Sequence, residues 1–141
     1  MSQVIIKQEY DIVAGDYASA GHASANIKRF LKQLGIEGNT VRRVAVASYE
    51  VELNIAIHSL GGKLLFEVTS SAIKLSSVDK GPGIPNIELA MQEGYSTADE
   101  EARSLGFGAG MGLPNMKRNA SKFSIKSEMG VGTTICMEFA I

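Results

Sequence analysis

The chain has a single cysteine, Cys136, so no internal disulfide can form and none is needed. Its 141 residues can bury a core large enough to fold without a staple of disulfides or metal. It also lacks charge of one sign. Fourteen Lys and Arg stand against fifteen Asp and Glu, a net charge of -1, which excludes a general attraction to nucleic acid or to an anionic membrane surface. No apolar run reaches 18 residues, so no membrane-spanning helix is expected. The opening MSQVIIKQEY meets Lys7 and Glu9 too early for a signal-peptide core. No internal repeat, low-complexity tract or Pro/Ser-rich linker divides the chain, and one cytoplasmic domain over 1–141 is expected. What is present is the balance of an ordinary globular protein, 45% apolar and 21% charged.

Hydrophobic spacing predicts a strand at Val4–Ile6. It predicts a helix from Asp11 to Leu34, carried by Ile12, Val13, Ala20, Ile27, Phe30, Leu31 and Leu34 and closed by Gly35. Asn39 and Thr40 offer cap chemistry for a second helix over about Val41–Leu60, which Gly61-Gly62 ends. Strands follow at Lys63–Thr69 and Ile73–Val78, with Ser70-Ser71 as the turn between them. A sharp loop occupies Asp79–Gly83, and Asn86 caps a short helix running to Met91. A glycine-rich stretch from Gly94 to Gly112 precedes a helix at Leu113–Ala120. Strands at Phe123–Ser127 and Thr133–Ala140 are joined by Gly130-Val131-Gly132. Strands linked by tight turns pair antiparallel, so this order predicts a two-layer α/β sandwich and not a doubly wound sheet. A structureless stretch of nearly twenty residues is unusual in a compact domain and is often a lid or a binding loop.

Four groups of residues can carry chemistry. On the second helix, Glu50, Asn54 and His58 recur every four residues and share one face, while Val44, Ala47, Val51 and Ile55 form a separate stripe to bury. Asn54 offers an oxygen to a hard cation, and Glu50 can accept a proton; a solvated helix face reads the same way. Asp79 ends an apolar strand, where its carboxylate can accept a hydrogen bond from an exocyclic amine. Gly81 and Gly83 let backbone approach a flat ring, although Asp/Gly/Pro turns are also common without function. Gly106, Gly108, Gly110 and Gly112 alternate into a helix start, a pattern suited to cradling phosphate. The pattern is neither a Walker A loop nor a Rossmann turn. Thr133 heads the last strand, where its hydroxyl can reach a site or simply suit a strand. His22 reads as a helix surface residue. Cys136 reads as a buried small hydrophobe, and Met91, Met111, Met116, Met129 and Met137 as packing residues.

Taken in order, Glu50-x3-Asn54-x3-His58, Asp79-x-Gly81-x-Gly83, Gly106-x-Gly108-x-Gly110-x-Gly112 and Gly132-Thr133 resemble the N box, two glycine boxes and GT box of the GHKL ATPase superfamily. The resemblance runs from about residue 11 to the end. Length, the opening EYDIVAG and the stretch GYSTADEEARSLGFGAGMGLPNMKR resemble the anti-sigma-factor serine/threonine kinases of the RsbT/RsbW type. The resemblance implies a GHKL α/β sandwich with a mixed, mostly antiparallel sheet, and ATP or ADP with Mg²⁺ as cofactors. It implies Asn54 as magnesium ligand, Asp79 as adenine anchor, Gly106–Gly112 closing over the phosphates and Glu50 as base on the acceptor hydroxyl. It further implies a STAS-domain antagonist as the phosphorylated partner, with a sigma factor or a phosphatase as other candidate partners and homodimer formation left open. Two features depart from that branch. The acidic insertion Asp99-Glu100-Glu101-Ala102-Arg103 bears on lid closure, and Tyr49, where the branch carries a small residue, bears on partner choice. A binding module that holds a partner without phosphorylating it is the competing reading. A two-component histidine kinase is not expected, since His22 lies between Gly21 and Ala23 with no adjacent acid. A gyrase- or MutL-like machine is not expected either, because no transducer domain follows residue 141.

Overall fold

The structure, a computed structural model, describes residues 4–92 and 112–141. Strand β1 (Val4–Ile12) leads into helices α1 (His22–Gln33) and α2 (Gly38–His58). The hairpin β2 (Gly62–Thr69) and β3 (Ala72–Asp79) follows, then the short α3 (Ile87–Ala90), α4 (Gly112–Asn119) and the hairpin β4 (Lys122–Glu128) and β5 (Gly132–Ala140). The strands form one sheet in the order β1-β2-β3-β5-β4. Every described pairing is antiparallel, so the expected mostly antiparallel sheet has no parallel pair among the described residues.

Both hairpins arise as the sequence predicts. Ser70-Ser71 lets Val68 face Ile73, and the turn at 129–131 sets Glu128 opposite Gly132. The expected stripe of α2 is fully buried: Val44, Ala47, Val51 and Ile55 pack with Ile27 and Leu31 of α1. Against them lie Leu64, Phe66 and Val68 of β2, Ile73 and Leu75 of β3, and Ile135, Met137 and Phe139 of β5. Leu113 and Met116 of α4 complete the helical layer. Alternation along β3 and β5 turns every second residue toward this core, and the same parity aims Asp79 and Thr133 inward at one end of the sheet. Gly35 closes α1 through a Schellman pair, Ile36 N–H to Leu31 O at 3.1 Å and Gly35 N–H to Lys32 O at 3.1 Å. Asn86 caps α3, its Oδ1 accepting from Leu89 N–H at 3.0 Å.

Four expectations are corrected. The helix predicted from Asp11 begins at His22, because residues through Ile12 pair with β2 as an edge strand; Gly15 and Gly21 take positive φ and break the chain between the two elements. Helix α2 starts at Gly38 with no side-chain cap. Asn39 instead accepts from Arg42, and Thr40 is buried. Cys136 is exposed, because Ile135 and Met137 take the covered face and leave it on the open one. Met129, in the β4–β5 turn, is likewise exposed and not a packing residue, whereas Met116 and Met137 are buried. No described helix is long and apolar enough to cross a membrane.

Candidate functional site

Register across three strands builds the first half of the site. Val78 faces Thr134 and Ser127 faces Thr133, so Asp79, Thr133 and Ser127 form a row across β3, β5 and β4 on the helix-facing side. Thr133 N–H donates to Asp79 Oδ1 at 3.0 Å. The other carboxylate oxygen has no protein partner among the described residues. Burial pushes the Asp79 carboxyl above its ordinary pKa, and the Thr133 N–H pulls it back in part. Ser127 was not expected from the sequence. Its hydroxyl accepts from Ile84 N–H at 2.7 Å and lies 2.9 Å from Thr133 Oγ1, which ties the loop after Asp79 to the row. The register of the β4–β5 hairpin was the signal that could have found it.

The glycines of this corner are there for space. A Cβ on Gly132 (φ 152) would fall on the carbonyl oxygen of Asp79 and 2.9 Å from its carbon. One on Gly83 (φ 81) would stand 2.7 Å from Glu128 O. At Gly81 a Cβ would lie 3.2 Å from Ser59 Cα, so the loop after β3 packs against the end of α2.

The second half is carried by α2 and α4. Glu50 and Asn54 are both half-buried and lie one helical turn apart. A Cβ on Gly112, the first residue of α4, would lie 3.2 Å from Glu50 Oε2. Burial raises the Glu50 carboxyl above its ordinary pKa, and a hydrogen bond with the Asn115 side chain, a residue the sequence did not single out, opposes the rise. Asn54 has no side-chain partner among the described residues, which leaves its carbonyl oxygen available. The two halves are joined by α2 itself. Nine residues separate Glu50 from Ser59, roughly 13 Å at the helical rise. His58 is half-buried at the end of the same row. Gly106, Gly108 and Gly110 lie outside the described residues, as do Met111 and the acidic stretch 99–103.

Glu52, on the opposite face of α2 from the half-buried row of Glu50, Asn54 and His58, is the carboxylate that sequence reasoning missed. It is 2% exposed and accepts from Ala23 N–H and Ser24 N–H, both at 3.1 Å. An anion at the first turn of α1 satisfies two orphan donors and complements the helix dipole, so α1 is locked to the helix that bears Glu50 and Asn54.

The fit to a magnesium nucleotide can be judged from these donors. Among the described residues no group of three or more His, Cys, Asp or Glu could hold a metal. Mg²⁺ is commonly held by one or two protein oxygens together with phosphates and water, and the Asn54 carbonyl is one such oxygen. A half-satisfied carboxylate beside a glycine-lined corner suits a base that presents an amine.

Residues 36–141 match the family described as Histidine kinase-, DNA gyrase B-, and HSP90-like ATPase. The chain is 33% identical over 138 residues to the serine/threonine-protein kinase RsbT of Bacillus subtilis, covering 95% of this chain and 92% of RsbT. It is 30% identical over 121 residues to an anti-sigma F factor of Clostridium kluyveri, with 82% of each covered. A chain in the crystal structure of the SiaB-SiaC complex from Pseudomonas aeruginosa shares the fold, with TM-score 0.55 at 11% identity over 98% of this chain and 91% of that one. The match over residues 36–141 and the identity to RsbT along nearly the whole chain show that this chain belongs to the histidine kinase-, DNA gyrase B- and HSP90-like ATPase family, GHKL in short.

Proposed function

We propose that the chain is a single ATP- and Mg²⁺-dependent serine/threonine protein kinase domain that switches a small STAS-type antagonist protein. The observation that carries this reading is the Asp79 carboxylate. It is buried, held by Thr133 N–H through one oxygen, and without a protein partner at the other among the described residues. In this reading the second oxygen accepts from the adenine amine, while Gly81, Gly83 and Thr133 shape the corner around the base. Asn54 contributes to Mg²⁺, and roughly 13 Å of α2 spans the length of the nucleotide. Gly112 and the amides opening α4 meet the phosphates, and Gly106, Gly108 and Gly110 complete the cradle. Mg²⁺ would neutralise phosphate charge when bound.

Phosphoryl transfer asks mainly for positioning. As the acceptor oxygen attacks the terminal phosphorus and ADP leaves, Glu50 takes the hydroxyl proton. Its raised pKa brings it closer to working pH than an ordinary glutamate. The RsbT relative, a serine/threonine-protein kinase by name, supports this reading. The anti-sigma F factor relatives favour a second one, in which the domain holds a sigma factor and nucleotide only sets its conformation.

Calorimetry with ATP and ADP, with and without Mg²⁺, tests the pocket. The wild type binds and Asp79→Asn loses affinity by about tenfold or more; a folded wild type without affinity would overturn the reading. With labelled ATP, a cognate STAS protein gains phosphate, and Glu50→Ala slows this by about 10²-fold or more. An equal rate would remove Glu50 from the role of base. Partner capture that survives Asn54→Ala, without label transfer, would select the sequestration reading.

A further inference from the structure

The helical layer carries a second concavity, on its outer side and apart from the strand-end site. It measures about 590 Å³ and lies between α1 and α2. Its ends are Gly38 and Tyr49, eleven residues apart on α2, so it runs for roughly 16 Å. That is an elongated groove and not a compact hole. Ile36, Val41, Ala45, Val46 and Tyr49 line it with apolar surface. Lys28 and Lys32, one turn apart on α1, and Arg42 on α2 stand exposed at its rim. No carboxylate lines it, and none of the three cations makes an ion pair among the described residues. In a chain of net charge -1, this is a local surplus of positive charge over an apolar floor.

The groove is also connected to the site. Arg42, Val46, Glu50 and Asn54 follow one another at intervals of four and form one ridge of α2, so the groove's row continues into the polar row. Tyr49 closes the end nearest Glu50. Its ring lies over Gly21, where a Cβ would approach to 3.4 Å. Glu52 clamps α1 to α2 on the far side of Tyr49 and holds the two walls together.

We propose that this groove docks an acidic amphipathic helix of the partner protein, with its apolar face on Ala45, Val46 and Tyr49 and its carboxylates against Lys28, Lys32 and Arg42. The proposal rests on the reading above that the domain acts on a protein. It names the chemistry by which that protein is recognised. An apolar floor about three turns long is the shape of a helix-in-groove site, and rim cations with no acids select negative flanks and disfavour positive ones. A helix seated there points along the ridge to Glu50, which brings the rest of the partner to the site.

The test uses the full chain and two synthetic helical peptides roughly four turns long, with leucines at i, i+3, i+4 and i+7. One peptide carries Glu on the flanking positions, and the other carries Lys there. In ¹⁵N–¹H spectra the Glu peptide should shift amides in 28–36 and 41–49 saturably, and added salt should weaken it. The Lys peptide should bind at least about tenfold more weakly. The double substitution Lys28→Glu/Lys32→Glu lies on exposed side chains and should leave ATP affinity unchanged while reversing the preference between peptides. Shifts located elsewhere, no saturable shift, or equal binding of both peptides would overturn the proposal. Because this readout needs neither ATP nor transfer, a groove that binds in a chain that labels no acceptor refutes only the kinase reading. If transfer occurs and Lys28→Glu/Lys32→Glu leaves the acceptor's KM unchanged, only the groove is refuted.

Discussion

Replacing Gly132 by alanine perturbs the site at its tightest point. Gly132 opens β5 at φ 152. A Cβ there would fall on the carbonyl oxygen of Asp79, 2.9 Å from its carbon and 3.2 Å from Lys80 Cα. All three are backbone atoms, and Asp79 is paired with Gly62 on its other side, so nothing can swing aside. Overpacking of this kind costs about 1–3 kcal/mol, and a side chain at positive φ adds about 1 kcal/mol. For a chain of this size, a total of about 2–4 kcal/mol lowers Tm by on the order of 10 °C. The neighbouring Gly130 is the control. It has φ 78, yet an added Cβ meets nothing within 4 Å, so Gly130→Ala carries only the conformational cost of about 1 kcal/mol. Beyond stability, moving the head of β5 draws Thr133 N–H away from Asp79 Oδ1, now at 3.0 Å. A hydrogen bond to a charged group is worth about 1.5–3 kcal/mol, so nucleotide affinity should fall by roughly ten- to a hundredfold. Thermal unfolding and calorimetry read the two effects. If Gly132→Ala melted within about 2 °C of Gly130→Ala, the packing argument would be wrong.

Four further outcomes are expected. Glu52→Ala leaves the N–H groups of Ala23 and Ser24 without an acceptor in a buried place, which should destabilise by about 2–4 kcal/mol in urea unfolding; a loss below about 0.5 kcal/mol would show that α1 does not depend on this tie. Because burial raises the Glu50 pKa, transfer should fall as pH drops through that raised value, giving an acid limb above the ordinary 4.5. The sign for stability is opposite. A carboxyl with a raised folded pKa contributes stability below its ordinary pKa and loses it as pH rises through the folded one, so Glu50→Gln should make the nucleotide-free protein no less stable at neutral pH. Exposed Cys136 should react with a thiol reagent in the native protein, and a requirement for denaturant would contradict its place on the open face.

Elements whose causes are local were legible in the sequence. The buried stripe of α2, the two tight hairpins, the closing Gly35 and the Asn86 cap each depend on residues within a few positions of one another. The order of the chemical residues was legible for the same reason, since Glu50 and Asn54 share a face by helical spacing alone. Everything that needed a distant partner was decided by the tertiary structure. The apolar residues Ile12 and Val13 fit a helical period, yet Ile12 lies in β1 because its partner Gly62 is fifty residues away. Cys136 is exposed because helices cover only one face of the sheet, which strand propensity cannot say. Glu52 looks like one more surface acid until α1 is laid against α2 and two amides turn toward it. Asp79, Gly132, Thr133 and Ser127 become one corner only through the register of β3, β5 and β4. A sequence names such residues, but pairing across strands sets the distances between them.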